Sequence, residues 1–131
     1  MSIAHTVTRS YKDQSANTIS FSEAMTADNE DNLDTTLVAA TPNQLITWLA
    51  TRANLVSVVL YSSVAVTIYT NAASSGAPQD TIPLVAGQTK IWTLATDGIG
   101  ACPFSGNVTA LYVTVAGAVA PSFKLRCLKN Q

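Results

Sequence analysis

Between Leu45 and Lys129 the chain consists almost entirely of short apolar-alternating runs separated by turn residues. The densest stretch is Leu55-Val56-Ser57-Val58-Val59-Leu60-Tyr61 followed by Val64-Ala65-Val66-Thr67-Ile68-Tyr69. It is rich in β-branched and aromatic residues and predicts two strands. A two-residue turn at Ser62-Ser63 would join them as a hairpin, with Tyr61 opposite Val64 and Val59 opposite Val66. Further strands are predicted over 45–49, 81–84, 90–94, 108–115 and 122–128, with long loops over 71–80 and 95–107 and a turn at Gly87. In the last strand Phe123, Leu125 and Cys127 alternate with Lys124 and Arg126, and outward cations of this kind suit a sheet edge.

Residues 1–44 are more polar but still patterned. Thr6-Val7-Thr8-Arg9-Ser10-Tyr11 places Val7, Arg9 and Tyr11 on one side. Asn17-Thr18-Ile19-Ser20-Phe21-Ser22 places Ile19 and Phe21 on one face and hydroxyls on the other. The link over 12–16 supplies a turn, so these runs predict a hairpin or two consecutive sandwich strands. The acidic run over 28–34 reads as a solvated loop before a strand over 35–40, which Thr41-Pro42-Asn43 closes. No segment carries a ten-residue helical period. The pattern predicts an all-β fold: an antiparallel β-sandwich of jelly-roll type with about 8–9 strands. A single domain is expected over 1–131, with 1–44 contributing edge strands or a docking arm.

Composition sharpens this picture. A chain of 131 residues suits one domain, burying roughly two-thirds of the surface its unfolded form exposes. Charged residues make up 11%, against roughly 25% in ordinary soluble domains, and Ser and Thr take their place. Low charge with a large apolar share points to surface covered by a partner or by sister copies. The net charge of −1, with scattered cations, argues against a nucleic-acid partner. The start of the chain has neither a basic nor an apolar leader region, so no secretory signal is expected. No apolar run approaches about 18 residues, and the strands are too short and too few for an outer-membrane barrel, so no membrane partner is expected. Synthesis in a cytoplasm favours unpaired Cys102 and Cys127, the latter as a small core hydrophobe.

Candidate chemistry is thin. His5, the only histidine, lies close to the chain start, where a base held by a third group is not expected. Asp28, Glu30 and Asn32 alternate like calcium ligands, but Leu33 stands where an EF-hand loop needs glycine, and Ala39 stands where it needs glutamate. Glu23 and Asp34 have no aromatic cleft around them that would mark glycosidase carboxylates. Gly98-Ile99-Gly100 lacks the later glycine of a phosphate-binding loop. Trp48, Tyr61, Tyr69, Trp92, Phe104 and Tyr112 could stack sugars or bases, but most lie inside strands and are expected in the core. No catalytic, metal or cofactor-binding residue is therefore assigned, and no enzyme activity is expected.

The order Leu55-Val56-Ser57-Val58-Val59-Leu60-Tyr61-Ser62-Ser63, then Val66-Thr67-Ile68-Tyr69-Thr70-Asn71, then Ala77-Pro78-Gln79-Asp80-Thr81-Ile82-Pro83-Leu84-Val85-Ala86-Gly87-Gln88 and Ile91-Trp92 resembles small structural proteins of tailed bacteriophages. So does the ending Val108-Thr109-Ala110-Leu111-Tyr112-Val113-Thr114-Val115 before a short strand of alternating charge. The resemblance covers most of the chain and rests on β patterning, the Asn71–Pro78–Asp80 loop and the spacing of Gly87 and Trp92. It implies a jelly-roll decoration or cement protein on the exterior of an icosahedral capsid. The implied partners are the major capsid protein and the chain itself, as a dimer or trimer. Val7, Arg9, Tyr11, Ile19 and Phe21 are the candidate capsid-docking residues, because the amino-terminal part has apolar anchors but too few to build its own core. The alternative is a carbohydrate-binding sandwich, lectin-like or a tail receptor-binding component.

Overall fold

The structure is a computed structural model that describes residues 2–131. Its strands are β1 (Ile3–Lys12), β2 (Thr18–Ala27), β3 (Asn29–Thr36), β4 (Thr41–Ile46), β5 (Leu55–Ser62), β6 (Val66–Thr70), β7 (Thr81–Leu84), β8 (Thr89–Thr93), β9 (Leu111–Val115) and β10 (Ser122–Lys129). A four-residue helix, α1 (Leu94–Asp97), follows β8. One sheet has the order β3-β10-β5-β8 and the other β4-β9-β6-β7. The pairings are nested: β3 with β10, β4 with β9, β5 with β8 and β6 with β7, all antiparallel. A long ribbon of nested pairs folds into two sheets through the β10–β5 and β9–β6 contacts. This is the double-Greek-key jelly roll.

Alternation explains which side chains meet between the sheets. Phe123, Leu125 and Cys127 of β10 face Leu111, Val113 and Val115 of β9, and all but Val115, at 1%, are 0% exposed. Burial of this kind contributes about 1.5–3 kcal/mol per large apolar side chain. Burial also pushes the Cys127 thiol up to about 12. Both cysteines are free, so Cys127 packs as a small hydrophobe. Trp48 and Phe104 close one end of the core, their ring centroids 5.4 Å apart. Arg52 fixes the loop carrying Phe104 by donating to the Phe104 and Ile99 carbonyls, each at 2.7 Å.

Several local expectations are corrected. β5 and β6 do not pair; they lie in different sheets, and Ser62-Ser63 turns the corner between them. β5 is flanked by β10 and β8, and β6 by β9 and β7, so neither strand has an edge left for the other. The acidic run is not a loop. It forms most of β3, an edge strand whose carboxylates meet the cations of β10. Arg126 donates to both Asp34 oxygens at 2.9 Å, and Lys129 reaches Asp31 at 2.6 Å. β10 is therefore central, since its outward charges answer β3 instead of guarding an edge. Residues 37–40 leave the sheet as a loop, and β4 begins at Thr41, with Pro42 tolerated because β4 is itself an edge.

Truncating Leu125 to Ala should lower the unfolding free energy by about 2–5 kcal/mol in urea titrations, through the cavity it leaves. Lys124→Ala, one position away on the exposed side, should stay within about 0.5 kcal/mol. Equal losses at the two positions would place the core elsewhere.

Candidate functional site

β1 and β2 form a hairpin outside both sheets of the sandwich. Its register sets Ile3 opposite Ala27, His5 opposite Met25, Val7 opposite Glu23, Arg9 opposite Phe21 and Tyr11 opposite Ile19. Cross-strand partners share a face, so one face carries all ten of these side chains. The other carries Ala4, Thr6, Thr8, Ser10 and Lys12 against Thr18, Ser20, Ser22, Ala24 and Thr26. The turn is closed by Asp13, whose side chain accepts from the Asn17 backbone N–H at 2.9 Å and from the Asn17 amide at 3.2 Å. Ala16 takes a left-handed φ of 64°, as the last residue of a three-residue hairpin loop does.

The contacts of the hairpin face advance across the first sheet. His5 Nε2 meets Glu30 Oε2 of β3 at 2.6 Å. Met25 and Ala27 pack on Leu128 of β10, with Ile3, Val7 and Val56 of β5 around them. Glu23 Oε2 then accepts from Thr93 Oγ1 at the end of β8 at 2.8 Å and from Thr96 Oγ1 at 2.7 Å. Arg9 donates to both carboxylate oxygens of Asp97 in α1, at 2.8 and 2.5 Å. The hairpin thus lies across the strands, and its contacts end at α1, beyond the β8 edge. Leu128 points outward yet is 0% exposed, because this arm covers it.

Arg9 and Asp97 form the latch at the point of overhang. The paired guanidinium, joined by the Thr93 backbone N–H at 2.8 Å, holds the Asp97 carboxyl down to about 2. The same hydrogen bond raises the Arg9 pKa. A bidentate arginine–carboxylate pair fixes orientation as well as contributing energy.

Past the latch the face is bare. Tyr11 is 65% exposed, Ile19 73% and Phe21 53%. Of the five candidate docking residues, Val7 and Arg9 turn onto the chain's own body and fix the arm. Tyr11, Ile19 and Phe21 lie together at the overhang. The sequence pattern places all five on one face but gives no sign of the division, because the partners Thr93 and Asp97 sit more than eighty positions away in the chain.

Other candidate chemistry is dispersed. Glu30 is engaged by His5, and Asp31 by Trp48 Nε1 and Lys129. Among the described residues no cluster of three metal-ligating side chains occurs. Trp48, Trp92 and Phe104 are buried. Tyr61 is instead half-buried on the outer face of the first sheet, and Tyr69 and Tyr112 on that of the second. A depression of about 390 Å³ beside Leu49, Asn54 and Asn107 has one ionisable side chain, Lys129, already paired with Asp31.

The chain is thus an eight-stranded jelly roll carrying a latched β-hairpin arm. No family model and no curated protein matches it. Among solved structures it is similar to a chain in the structure titled "Bacillus endospore appendages form a novel family of disulfide-linked pili". That chain is 17% identical, with a TM-score of 0.42, and the match covers 79% of this chain and 87% of that one. The fold described above rests on this chain's own strand pairing.

The latch gives the arm a pH dependence of known sign. The Asp97 carboxyl is depressed in the folded state from 3.8 to about 2. Its stabilising pair is therefore complete above pH 3.8 and is lost as pH falls through about 2. Arg9→Met should melt below wild type at neutral pH, and that gap should close as pH is lowered from about 4 to about 2. A gap unchanged at about pH 1.5 in melting scans would remove Asp97 as the partner.

Proposed function

We propose that the protein is a non-enzymatic virion structural protein. It is a decoration or cement protein that binds and stabilises an icosahedral phage head from the outside, through its hairpin arm. One observation carries the reading. The face that seats the arm on the body, apolar at Met25 and Ala27 and polar at Glu23 and Arg9, continues past the body's edge, leaving Tyr11, Ile19 and Phe21 exposed at its free end. An arm that is rigid, latched and apolar at its free end is suited to a surface outside its own chain. The low charge is in keeping with that role, because apolar docking does not weaken with salt as charged docking does. A lattice that binds only the folded form raises its stability by linkage, and the decorated shell gains in return.

One observation favours a carbohydrate-binding module instead. Leu45, Tyr112 and Tyr69 form a cross-strand row on the outer face of the second sheet. Neither the row nor its outward neighbours Asn43, Thr67, Thr114 and Pro83 bears a charge, so the face is a flat surface on which a sugar ring could stack.

Heads of the phage whose genome encodes this chain, prepared without it, provide the test. Wild-type protein should co-sediment with them saturably. Replacing Tyr11, Ile19 and Phe21 together by Ser should weaken attachment at least about tenfold while leaving the melting temperature within a few degrees. Deleting residues 1–12 is a poorer test, because it also strips β2 of its partner and uncovers Leu128. Wild type that ignores heads but is retained on an immobilised glycan, with loss of retention in Tyr112→Ala, would replace the decoration reading by the second one.

A further inference from the structure

The nested pairing gathers four loops at one end of the sandwich: 37–40, 63–65, 85–88 and 116–121. Backbone hydrogen bonds stitch them together. The Leu37 N–H donates to the Pro121 carbonyl at 3.0 Å, Ala40 to Gly117 at 2.8 Å, Ser63 to Ser122 at 3.0 Å and Gly87 to Ser62 at 2.9 Å. These loops read Leu-Val-Ala-Ala, Ser-Val-Ala, Val-Ala-Gly-Gln and Ala-Gly-Ala-Val-Ala-Pro. None has a charged side chain, and Ser63 and Gln88 are the only polar ones. Val38 is 63% exposed, Val85 58% and Val119 63%. The opposite end, by contrast, holds Arg52, Asp80, Asp97 and the root of the hairpin arm.

We infer that this uncharged loop end is a self-association surface, occupied by the same end of a second copy of the chain. The inference goes beyond the head-binding role proposed above and does not depend on the lattice. Small side chains let two backbones approach closely about a rotation axis, where each copy meets the same surface. A surface without charge meets its own copy with no like-charge repulsion, and it offers no handle to a charged or strongly polar ligand. Apart from the buried Leu37 and Pro121, the loop residues together with Thr36, Thr41, Thr89 and Ser122 are at least partly accessible, and they approach the roughly 20–30 residues a side of a stable interface. Lipid is the poorer occupant. Loop N–H and C=O groups cannot be left unpaired in hydrocarbon, and no Lys or Arg stands in these loops to meet anionic headgroups.

The test is the mass of the purified full chain by sedimentation velocity up to about 100 μM, for wild type and for Val119→Asp, Val38→Asp and Phe21→Asp. Wild type should run as a defined oligomer of its 13.7 kDa chain. Either loop variant should run as a monomer, with a melting temperature that no longer depends on concentration. Phe21→Asp, at the far end, should remain an oligomer while losing attachment to heads. The two loop variants should still attach, more weakly. An oligomer unaffected by both Val119→Asp and Val38→Asp, or one dispersed by Phe21→Asp alone, would overturn the assignment. So would a wild type that stays monomeric over the whole range, and binding to heads would then still test the lattice reading separately.

Discussion

Each strand of the sandwich finds its nested partner across the chain that separates them, and β3 and β10 must bring together segments some ninety positions apart. That constraint orders everything else. Because each hydrogen-bonded pair encloses the next, the loops are sorted onto two ends, the inward faces fill one core, and only the outer faces remain to be managed. A ladder dominated by distant pairing folds slowly, because loop closure costs entropy before contacts offset it. Short strands with strict alternation lessen the risk of slippage, since a one-residue shift would turn Phe123, Leu125 and Cys127 out to water.

The outer face of the first sheet is managed in two ways. Toward the loop end, Lys124 and Arg126 keep it wet. Toward the other end, Leu128 would be an exposed apolar side chain on a central strand, and the hairpin covers it. The covering contact is small, with Met25, Ala27, Ile3 and Val7 on Leu128 and Val56. The polar latch of Glu23 and Arg9 on Thr93, Thr96 and Asp97 therefore matters to the arm's orientation. Removing one side of such a pair leaves a partly buried charge without its partner, a cost that falls on the seating of the arm.

Most of the fold was legible from alternation. The strand positions of β1, β2, β5, β7 and β10 follow directly from period-two patterning, as does the sandwich class. What alternation does not carry is pairing. The run from Leu55 to Tyr69 looks like a hairpin because its halves are adjacent, yet the sheet switch at Ser62-Ser63 depends on β8, β9 and β10 claiming the neighbouring edges. The acidic run reads as solvent loop because its charges dominate, and only the cations of β10 make it a strand. The hairpin face was legible residue by residue, since Val7, Arg9, Tyr11, Ile19 and Phe21 alternate. Its division into latched and free halves was not, because Asp97 lies in a loop with no periodic signal. At the loop end, 37–40 reads as the continuation of a strand over 35–40 until register places it outside the sheets, whereas 116–121 falls between predicted strands and carries no signal of its own.

The proposed docking tip, beyond the β8 edge, and the proposed self-association end give each other a physical reason. Tyr11, Ile19 and Phe21 are already partly covered, so burying them gains less than the roughly 1.5–3 kcal/mol each that full burial provides. Against an association cost of at least about 4 kcal/mol, a single arm in the proposed role would hold a lattice only weakly. A second arm, joined to the first through the inferred loop-end contact, would change that arithmetic without any new contact to the lattice. Its binding would then be intramolecular, at an effective concentration of about the millimolar level, and overall affinity would rise by orders of magnitude only where the lattice spacing matched the distance between tips. Rigidity then acquires a purpose. A flexible tether would tolerate any spacing, whereas an arm latched by Arg9 and Asp97 on a close-packed jelly roll would engage twice only on a surface whose repeat it fits.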